Sequence, residues 1–229
     1  MILQEHYDHM REQALQELVH GHADLDTLID SEHDLRRGIS LLARPTPALA
    51  AKIATILADF QRLEPDQYYY PTPDIHLTIL SIISCYSGFT LGTVTPAEYR
   101  SLVEDILHDI PPFSITFSGL TASPGGIMLQ GFPQDSTLQH LRDQLRKRFR
   151  KSGLQQSIDT RYSIHTAHST VVRFRAPLAN PARLVEAISN YQHHAIGSFE
   201  VDTIELVYHD WYQRAATTVL LAKYALGNS

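Results

Sequence analysis

The sequence predicts an α+β fold with two pseudo-symmetric β-sheet lobes, helices on their outer faces and a central cleft, and three observations predict it. Strand-like and helix-like hydrophobic patterns alternate along the chain. The order strand, helix, strand, helix, strand occurs twice, which indicates an internal repeat. The pattern His-x-Thr occurs once in each copy, at residues 76–78 and 168–170. Helix starts at residues 46 and 136 precede the two histidines by 30 and 32 residues (76 − 46 and 168 − 136).

The first copy begins with a predicted strand over residues 35–44. A helix over residues 46–63 follows, because a Thr-Pro pair supplies an N-cap and a proline in the first turn. The stretch "DIHLTILSIIS" is rich in β-formers and predicts a strand that carries the first His-x-Thr. A second Thr-Pro start predicts a helix over residues 96–109, and a strand over residues 113–120 completes the copy.

The second copy follows a Ser-Pro-Gly-Gly turn and repeats this order. The sequence predicts a strand over residues 126–132, a helix over residues 136–151 and a strand in "SIHTAHSTVVRF", which carries the second His-x-Thr. A helix over residues 181–193 and a strand over residues 199–208 complete the copy. One more strand is predicted within "ATTVLLAKYAL".

The domain organisation follows from the extent of the repeat. Residues 35–229 are predicted to form a single domain of two lobes. Residues 1–34 lie before the repeat, and apolar residues recur at roughly helical spacing within residues 2–20. We therefore expect residues 1–34 to be an N-terminal helical extension, and we expect the protein to be a monomer.

The composition excludes several classes of protein. The formal net charge of −6 argues against bulk DNA binding, which needs a broad basic surface, but permits a small phosphorylated ligand. One cysteine, Cys85, leaves no internal disulfide and is consistent with a reducing compartment. The sequence lacks a signal-like apolar stretch and any apolar run of about 18 residues. We therefore expect a cytoplasmic protein that does not bind membranes.

The two His-x-Thr motifs suit chemistry at a phosphodiester. Residues i and i+2 of a strand share one face, so His76 and Thr78 are expected to point together, as are His168 and Thr170. An imidazole titrates near pH 6.5, so one ring can act as a base and the other as an acid, with an optimum around neutrality. The hydroxyls can donate to phosphate oxygens. This mechanism requires no metal and no cofactor.

Over residues 35–229 the chain resembles the 2H (two-histidine) phosphoesterase superfamily, which includes bacterial 2′-5′ RNA ligase-like proteins and cyclic phosphodiesterases. "HLTIL" fits the family pattern closely, and "HSTVVRF" fits it at the histidine, the threonine and the first valine. Ser169 departs from the pattern, because that position is more often apolar in the family. The resemblance implies two antiparallel sheets around the cleft and a catalytic role for His76, Thr78, His168 and Thr170.

Other residues are weaker candidates. His165 has the opposite parity to His168 and should face away, so a metal site built from these two histidines with Asp159 or Asp74 is disfavoured. The stretches "QYYYP" and "YHDWYQR" offer aromatic rings that can stack on a base or simply pack. The candidate substrate-binding residues are Tyr70, Arg36, Arg173, Tyr208 and Trp211. Arg173 also resembles a basic residue that often follows the second motif in the RNA ligase-like branch.

Two functions are compatible with these features. The first is a metal-independent phosphoesterase that hydrolyses a 2′,3′-cyclic phosphate or a 2′-5′-linked nucleotide or RNA end by two-histidine acid–base catalysis. The second is a non-catalytic protein that binds an RNA end or a nucleotide in the same cleft. The sequence favours the enzyme, because all four motif positions are intact and a pure binder has no need of two imidazoles.

Overall fold

The computed structural model describes residues 3–227, which fold into two antiparallel sheets with α-helices packed on them. The helices are α1 (Leu3–Leu18), α2 (Pro47–Leu63), α3 (Pro96–Leu107), α4 (Thr137–Ser152) and α5 (Pro181–Asn190). The strands are β1 (Arg36–Ala43), β2 (Tyr68–Tyr69), β3 (Leu77–Ser87), β4 (Phe113–Ser123), β5 (Gly126–Pro133), β6 (Ser169–Arg173), β7 (Ala195–Val201), β8 (Thr203–Asp210) and β9 (Val219–Ala225). The predicted α+β fold class is confirmed.

One sheet has the strand order β3-β1-β8-β9 and the other β2-β6-β5-β4-β7, so the four strands of the first match β6-β5-β4-β7 of the second, and β2 is an additional edge strand. Strands β1 and β3 of the first copy pair in the four-stranded sheet, but β4 crosses to the other sheet and pairs with β5. In the second copy β5 and β6 pair with each other, and β8 crosses back to pair with β1. Each copy therefore gives its last strand to the other sheet, and a copy is not a lobe by itself.

The helices form where the sequence provides caps and an apolar stripe. In α2 the Thr46 hydroxyl accepts a hydrogen bond from the Leu49 N–H, and Pro47 occupies the first turn. In α4 the buried stripe consists of leucines and a phenylalanine at positions three and four apart, and Gly153 ends the helix with a φ of 75°. Burial of these stripes against the sheets is the main source of helix stability, because isolated helices of this length are marginal in water.

Two strand predictions were wrong in extent. Residues 199–208 form no single strand, because β7 and β8 lie in different sheets and the chain changes sheet at Asp202. The strand predicted in "SIHTAHSTVVRF" is limited to β6, and residues 153–168 are largely irregular. This irregular segment is held by side chains: the carboxylate of Asp159, whose φ is 59°, pairs with Arg146 and Arg150 of α4.

The N-terminal helix α1 packs against β4 and α5. Its Tyr7 and Leu18 side chains are fully buried, so α1 shares the core of the two sheets. The ends of the predicted ranges 1–34 and 35–229, at residues 1–2 and 228–229, lie outside the described residues. Within residues 3–227, the helices are all too short or too polar to cross a membrane.

Candidate active site

The cleft between the two sheets brings both His-x-Thr motifs to one cavity. His76 and Thr78 line it from the start of β3, and His168 and Thr170 line it from the start of β6. Each histidine immediately precedes its strand and each threonine is the second residue of that strand. Leu77, between the first pair, is fully buried on the opposite side. The alternation expected from strand geometry therefore places the four side chains on the walls of one cavity.

His76 is held by a backbone acceptor. Its Nδ1 lies 2.6 Å from the carbonyl oxygen of Asp74, and the ring is only 7% exposed. Because a carbonyl oxygen can only accept, Nδ1 carries a hydrogen, and Nε2 of the neutral ring keeps its lone pair. Burial lowers the pKa of His76 to about 3, and the charges of Arg44 and Arg173 act in the same direction, whereas the hydrogen bond to Asp74 opposes them.

His168 has a different partner. Its Nδ1 lies 2.6 Å from Oγ1 of Thr166, a hydroxyl that can either donate or accept, so this bond does not fix the tautomer. Burial lowers the pKa of His168 to about 4, and the neighbouring charges of Arg142 and Arg173 contribute to the shift. Both motif imidazoles are therefore neutral at pH 7, and an anion between them would favour their charged forms.

A buried arginine of α4 connects the two motif segments. The guanidinium of Arg142 donates to the carbonyl oxygens of Thr78 (3.1 Å), Ile79 (2.8 Å) and Thr166 (2.9 Å). These three acceptors are uncharged, and within residues 3–227 Arg142 forms no ion pair with a carboxylate. Burial lowers the pKa of Arg142 to about 10, so the group remains a cation at pH 7. Arg142 thus fixes the spacing of the two motifs and adds positive charge beneath the cavity.

Three of the predicted substrate-binding residues line the cavity, namely Tyr70, Arg173 and Trp211. Arg173 Nε donates to the Tyr70 hydroxyl at 3.0 Å, which holds this guanidinium at the wall. The Trp211 ring lies 4.5 Å from the guanidinium carbon of Arg36 and 4.7 Å from that of Arg161. Arg36 itself lies outside the lining and is engaged by Asp34.

The structure places Tyr208 outside the cavity, where its hydroxyl donates to the Phe89 carbonyl at 3.3 Å. Side chains alternate along β8, so the next residue, His209, faces the cavity instead. Its Nδ1 lies 2.6 Å from the Asp210 carbonyl and its Nε2 lies 2.8 Å from Ser40 Oγ. Sequence reasoning missed His209 because it favoured the aromatic residues of "YHDWYQR" over the histidine among them.

The irregular segment before β6 supplies a further part of the lining, with Asp159, Arg161 and Tyr162. Arg161 is held at the wall by a hydrogen bond of 2.8 Å to the carbonyl oxygen of Cys85. These residues follow neither the strand nor the helix period, so periodicity gave no signal for Arg161 and Tyr162.

Two of the four side chains considered for a metal site, His168 and Asp159, line the cavity, and the other two, His165 and Asp74, do not. His165 is exposed and lies outside the cavity lining, whereas His168 lies within it. Asp159 pairs with two arginines, and Asp74 accepts a hydrogen bond from the Ala215 N–H. In the part of the chain that the structure describes, no group of three His, Cys, Asp or Glu side chains is arranged to hold a metal ion.

Two antiparallel sheets with a paired His and Thr from each on the walls of one cleft define a protein of the 2H phosphoesterase type. The family model described as the 2′-5′ RNA ligase superfamily matches residues 45–212. The chain therefore belongs to the 2′-5′ RNA ligase superfamily.

Solved structures support the same fold. The chain is similar to E. coli LigT complexed with 3′-AMP, with 17% identity and a TM-score of 0.56 over 84% of this chain and 99% of that one. It is also similar to TT0787 of Thermus thermophilus, with 15% identity and a TM-score of 0.58 over 83% of this chain and 97% of that one. At such identities the likeness shows the fold alone. A comparison with curated protein sequences gave no match.

Proposed function

We propose that the protein is a metal-independent phosphoesterase that hydrolyses a 2′,3′-cyclic phosphate or a 2′-5′-linked nucleotide or RNA end. One observation carries the proposal: the Nδ1 atoms of His76 and His168 are both engaged by the protein, at 2.6 Å each. The Nε2 atom of each ring is thereby left to act on a phosphodiester in the shared cavity. Two such nitrogens in one cavity suit removal of a proton from an attacking water and donation of a proton to the leaving oxygen.

The different Nδ1 partners favour different roles for the two rings. The carbonyl of Asp74 keeps the neutral His76 ring in the tautomer with a free Nε2 lone pair, which is the form that a general base needs. His168 Nδ1 faces a hydroxyl that can either donate or accept, so its ring is not held in the tautomer that a base needs, and the role of acid falls to it. We therefore assign His76 as the base and His168 as the acid.

The reaction proceeds by attack of water on phosphorus. His76 Nε2 takes a proton from the attacking water, a new P–O bond forms, and the P–O bond to the leaving ribose oxygen breaks. His168 gives its proton to that oxygen, which leaves as a hydroxyl group. The product carries one more ionisable phosphate oxygen than the substrate, and each histidine ends in the protonation state in which the other began.

The remaining groups of the cavity stabilise the charge on the phosphoryl oxygens. The hydroxyls of Thr78 and Thr170 can donate to the two non-bridging oxygens. The guanidinium of Arg173 at the wall and that of Arg142 beneath it make the potential positive. A bound phosphate in turn raises the pKa of both imidazoles, which makes a charged acid accessible near neutral pH.

A nucleotide is the substrate class that the relatives support. E. coli LigT has been crystallised with 3′-AMP and with ATP, which are ligands with a ribose and a phosphate. In the present chain Tyr70, Trp211 and Tyr162 add aromatic rings to the cavity wall, where a base can pack.

The test is turnover of a small panel in excess EDTA: 2′,3′-cyclic AMP, the 2′-5′-linked dinucleotide ApA and the matched 3′-5′-linked ApA. We expect the cyclic phosphate or the 2′-5′ dinucleotide to be hydrolysed in the presence of the chelator, and the 3′-5′ dinucleotide to be spared. Tight binding of the panel without any product would support a binding protein instead and would refute the enzymatic proposal.

A further inference from the structure

The N-terminal helix α1 lies before the residues that the superfamily model matches, which begin at residue 45. It is nevertheless joined to the second motif through one side chain. Tyr7 of α1 is 0% exposed, and its ring packs edge-on against Phe132 of β5 at a centroid distance of 5.5 Å. The tyrosine hydroxyl therefore reaches the interior of the five-stranded sheet beside the start of β6.

The Tyr7 hydroxyl forms every hydrogen bond of which it is capable. It donates to the Gly131 carbonyl at 3.1 Å, and it accepts from the N–H groups of Gly131 and Ala167, at 3.2 Å each. Burial raises the pKa of Tyr7 to about 12, although these two N–H groups oppose the shift. The phenol is therefore a neutral, saturated structural partner, and it touches the residue that immediately precedes His168.

The backbone around Ala167 needs such a partner. Strand β6 begins only at Ser169, so the Ala167 N–H has no place in the β-ladder, and a buried N–H without an acceptor is costly. A Cβ on Gly131 would lie 1.8 Å from the Ala167 carbonyl oxygen, which shows how closely β5 and this segment approach each other. The Tyr7 hydroxyl thus joins the segment before His168 to Gly131 of β5.

We propose that Tyr7 is a positioning residue for His168, and hence that helix α1 contributes to catalysis through this side chain. This inference rests on the proposed function, because it assumes that the orientation of the His168 ring matters for turnover. The Tyr7 hydroxyl holds the backbone N–H of Ala167, the Thr166 hydroxyl holds Nδ1 of His168 at 2.6 Å, and Nε2 is thereby aimed at the substrate. Tyr7 does not touch the substrate.

The test compares Tyr7→Phe with Thr121→Val in the full chain. Tyr7→Phe keeps the ring and removes only the hydroxyl. Thr121 Oγ1 donates to the Tyr7 backbone carbonyl at 3.1 Å, so Thr121→Val weakens the anchor of the same helix and leaves the phenol in place. Because small misplacements of a catalytic group are costly, we expect Tyr7→Phe to lower kcat about 10- to 100-fold with little change in KM, and Thr121→Val to leave kcat near that of the wild type.

A second pair of variants covers the case in which Tyr7→Phe is too unstable to assay. Thr166→Val removes the hydroxyl that holds Nδ1 of His168, whereas Thr166→Ser retains it. We expect Thr166→Val to lose kcat and Thr166→Ser to keep it. The inference is overturned if Tyr7→Phe has wild-type kcat, if Thr121→Val loses as much as Tyr7→Phe, or if Thr166→Val is fully active.

The activities of His168→Ala and Tyr7→Phe together separate the positioning role of Tyr7 from the two-histidine mechanism. If His168→Ala is inactive while Tyr7→Phe is normal, only the role of α1 is wrong. If His168→Ala is fully active, the two-histidine mechanism itself is wrong.

Discussion

The Nδ1 atom of His76 lies 2.6 Å from the carbonyl oxygen of Asp74, an atom that can only accept a hydrogen bond. Asp74 is in turn held in place, because its carboxylate accepts from the Ala215 N–H at 2.8 Å. The His76 ring is therefore fixed in orientation and tautomer before any substrate arrives. Such preorganisation is what acid–base catalysis requires of the group that takes the first proton.

The depressed histidine pKa values predict an acid-shifted pH profile. The base must be neutral, so activity rises as the pH increases through the pKa of the base. The acid must be charged, so activity falls as the pH increases further, through the pKa of the acid. Burial lowers the pKa of His76 to about 3 and that of His168 to about 4, so the bell in kcat/KM should lie well below pH 6.5 and not around neutrality.

A bound phosphate raises the pKa of both His76 and His168. The bell-shaped pH profile of kcat, which reports the substrate complex, should therefore lie at higher pH than the profile of kcat/KM, which reports the free enzyme. Steady-state kinetics over a wide pH range, in excess EDTA, measures both profiles. Coincident bells centred near neutrality would show that the free site does not depress its imidazoles.

The motif threonines should act as donors to the phosphoryl oxygens. Thr78→Val and Thr170→Val keep the shape of each side chain and remove one hydroxyl from the cavity wall. Each change should cost a few kcal/mol of transition-state stabilisation at most, or about 10- to 100-fold in kcat/KM, as for other lost donors to developing charge. Thr78→Ser and Thr170→Ser, which keep the hydroxyl and lose only a methyl group, serve as matched controls for packing. Unchanged kinetics in both valine variants would mean that these hydroxyls do not contact the phosphate.

Arg142 should influence the titration of His168 through its charge. Removing the cation with Arg142→Met should raise the pKa of His168, so the alkaline limb of the kcat/KM bell should move to higher pH. Arg142→Lys keeps the positive charge, so the alkaline limb of the kcat/KM profile should stay at the same pH. This variant loses some of the hydrogen bonds to the carbonyl oxygens of Thr78, Ile79 and Thr166.

Arg148 provides a matched control on the same helix, because it is partly exposed and lies 3.6 Å from Asp105 at the surface. Arg148→Met should leave the profile unchanged. If Arg142→Met and Arg142→Lys lower the melting temperature alike and neither moves the limb, Arg142 has a structural role only.

Much of the fold was predictable from local pattern. The Thr-Pro helix start at Thr46, the apolar stripe of α4 and the strand period around His76 each reflect interactions within a few residues. The crossing of β4 and β8 between sheets was not predictable, because periodicity reveals that a strand exists but not which strand it pairs with. The break at Asp202 follows from that pairing, so residues 199–208 were wrongly predicted as one strand.

The site was predictable where it depends on alternation along a strand. His76 and Thr78 share a wall of the cavity, as do His168 and Thr170. The supports of these residues come from distant elements: Tyr7 reaches Ala167 from α1 across 160 positions. Contacts of that kind leave no local signature in a single sequence.

The most direct measurement of the two-histidine mechanism is the rate of His76→Ala and His168→Ala on the best substrate of the panel, in excess EDTA, beside His165→Ala. His165 lies in the same segment as His168 but is exposed and outside the cavity, so His165→Ala should retain the wild-type rate. Each motif variant should be slower by about 10²–10⁴-fold, and the double variant should not multiply the two losses, because both groups act in one transition state. Full activity in either motif variant, or activity that EDTA abolishes and zinc restores, would refute the mechanism.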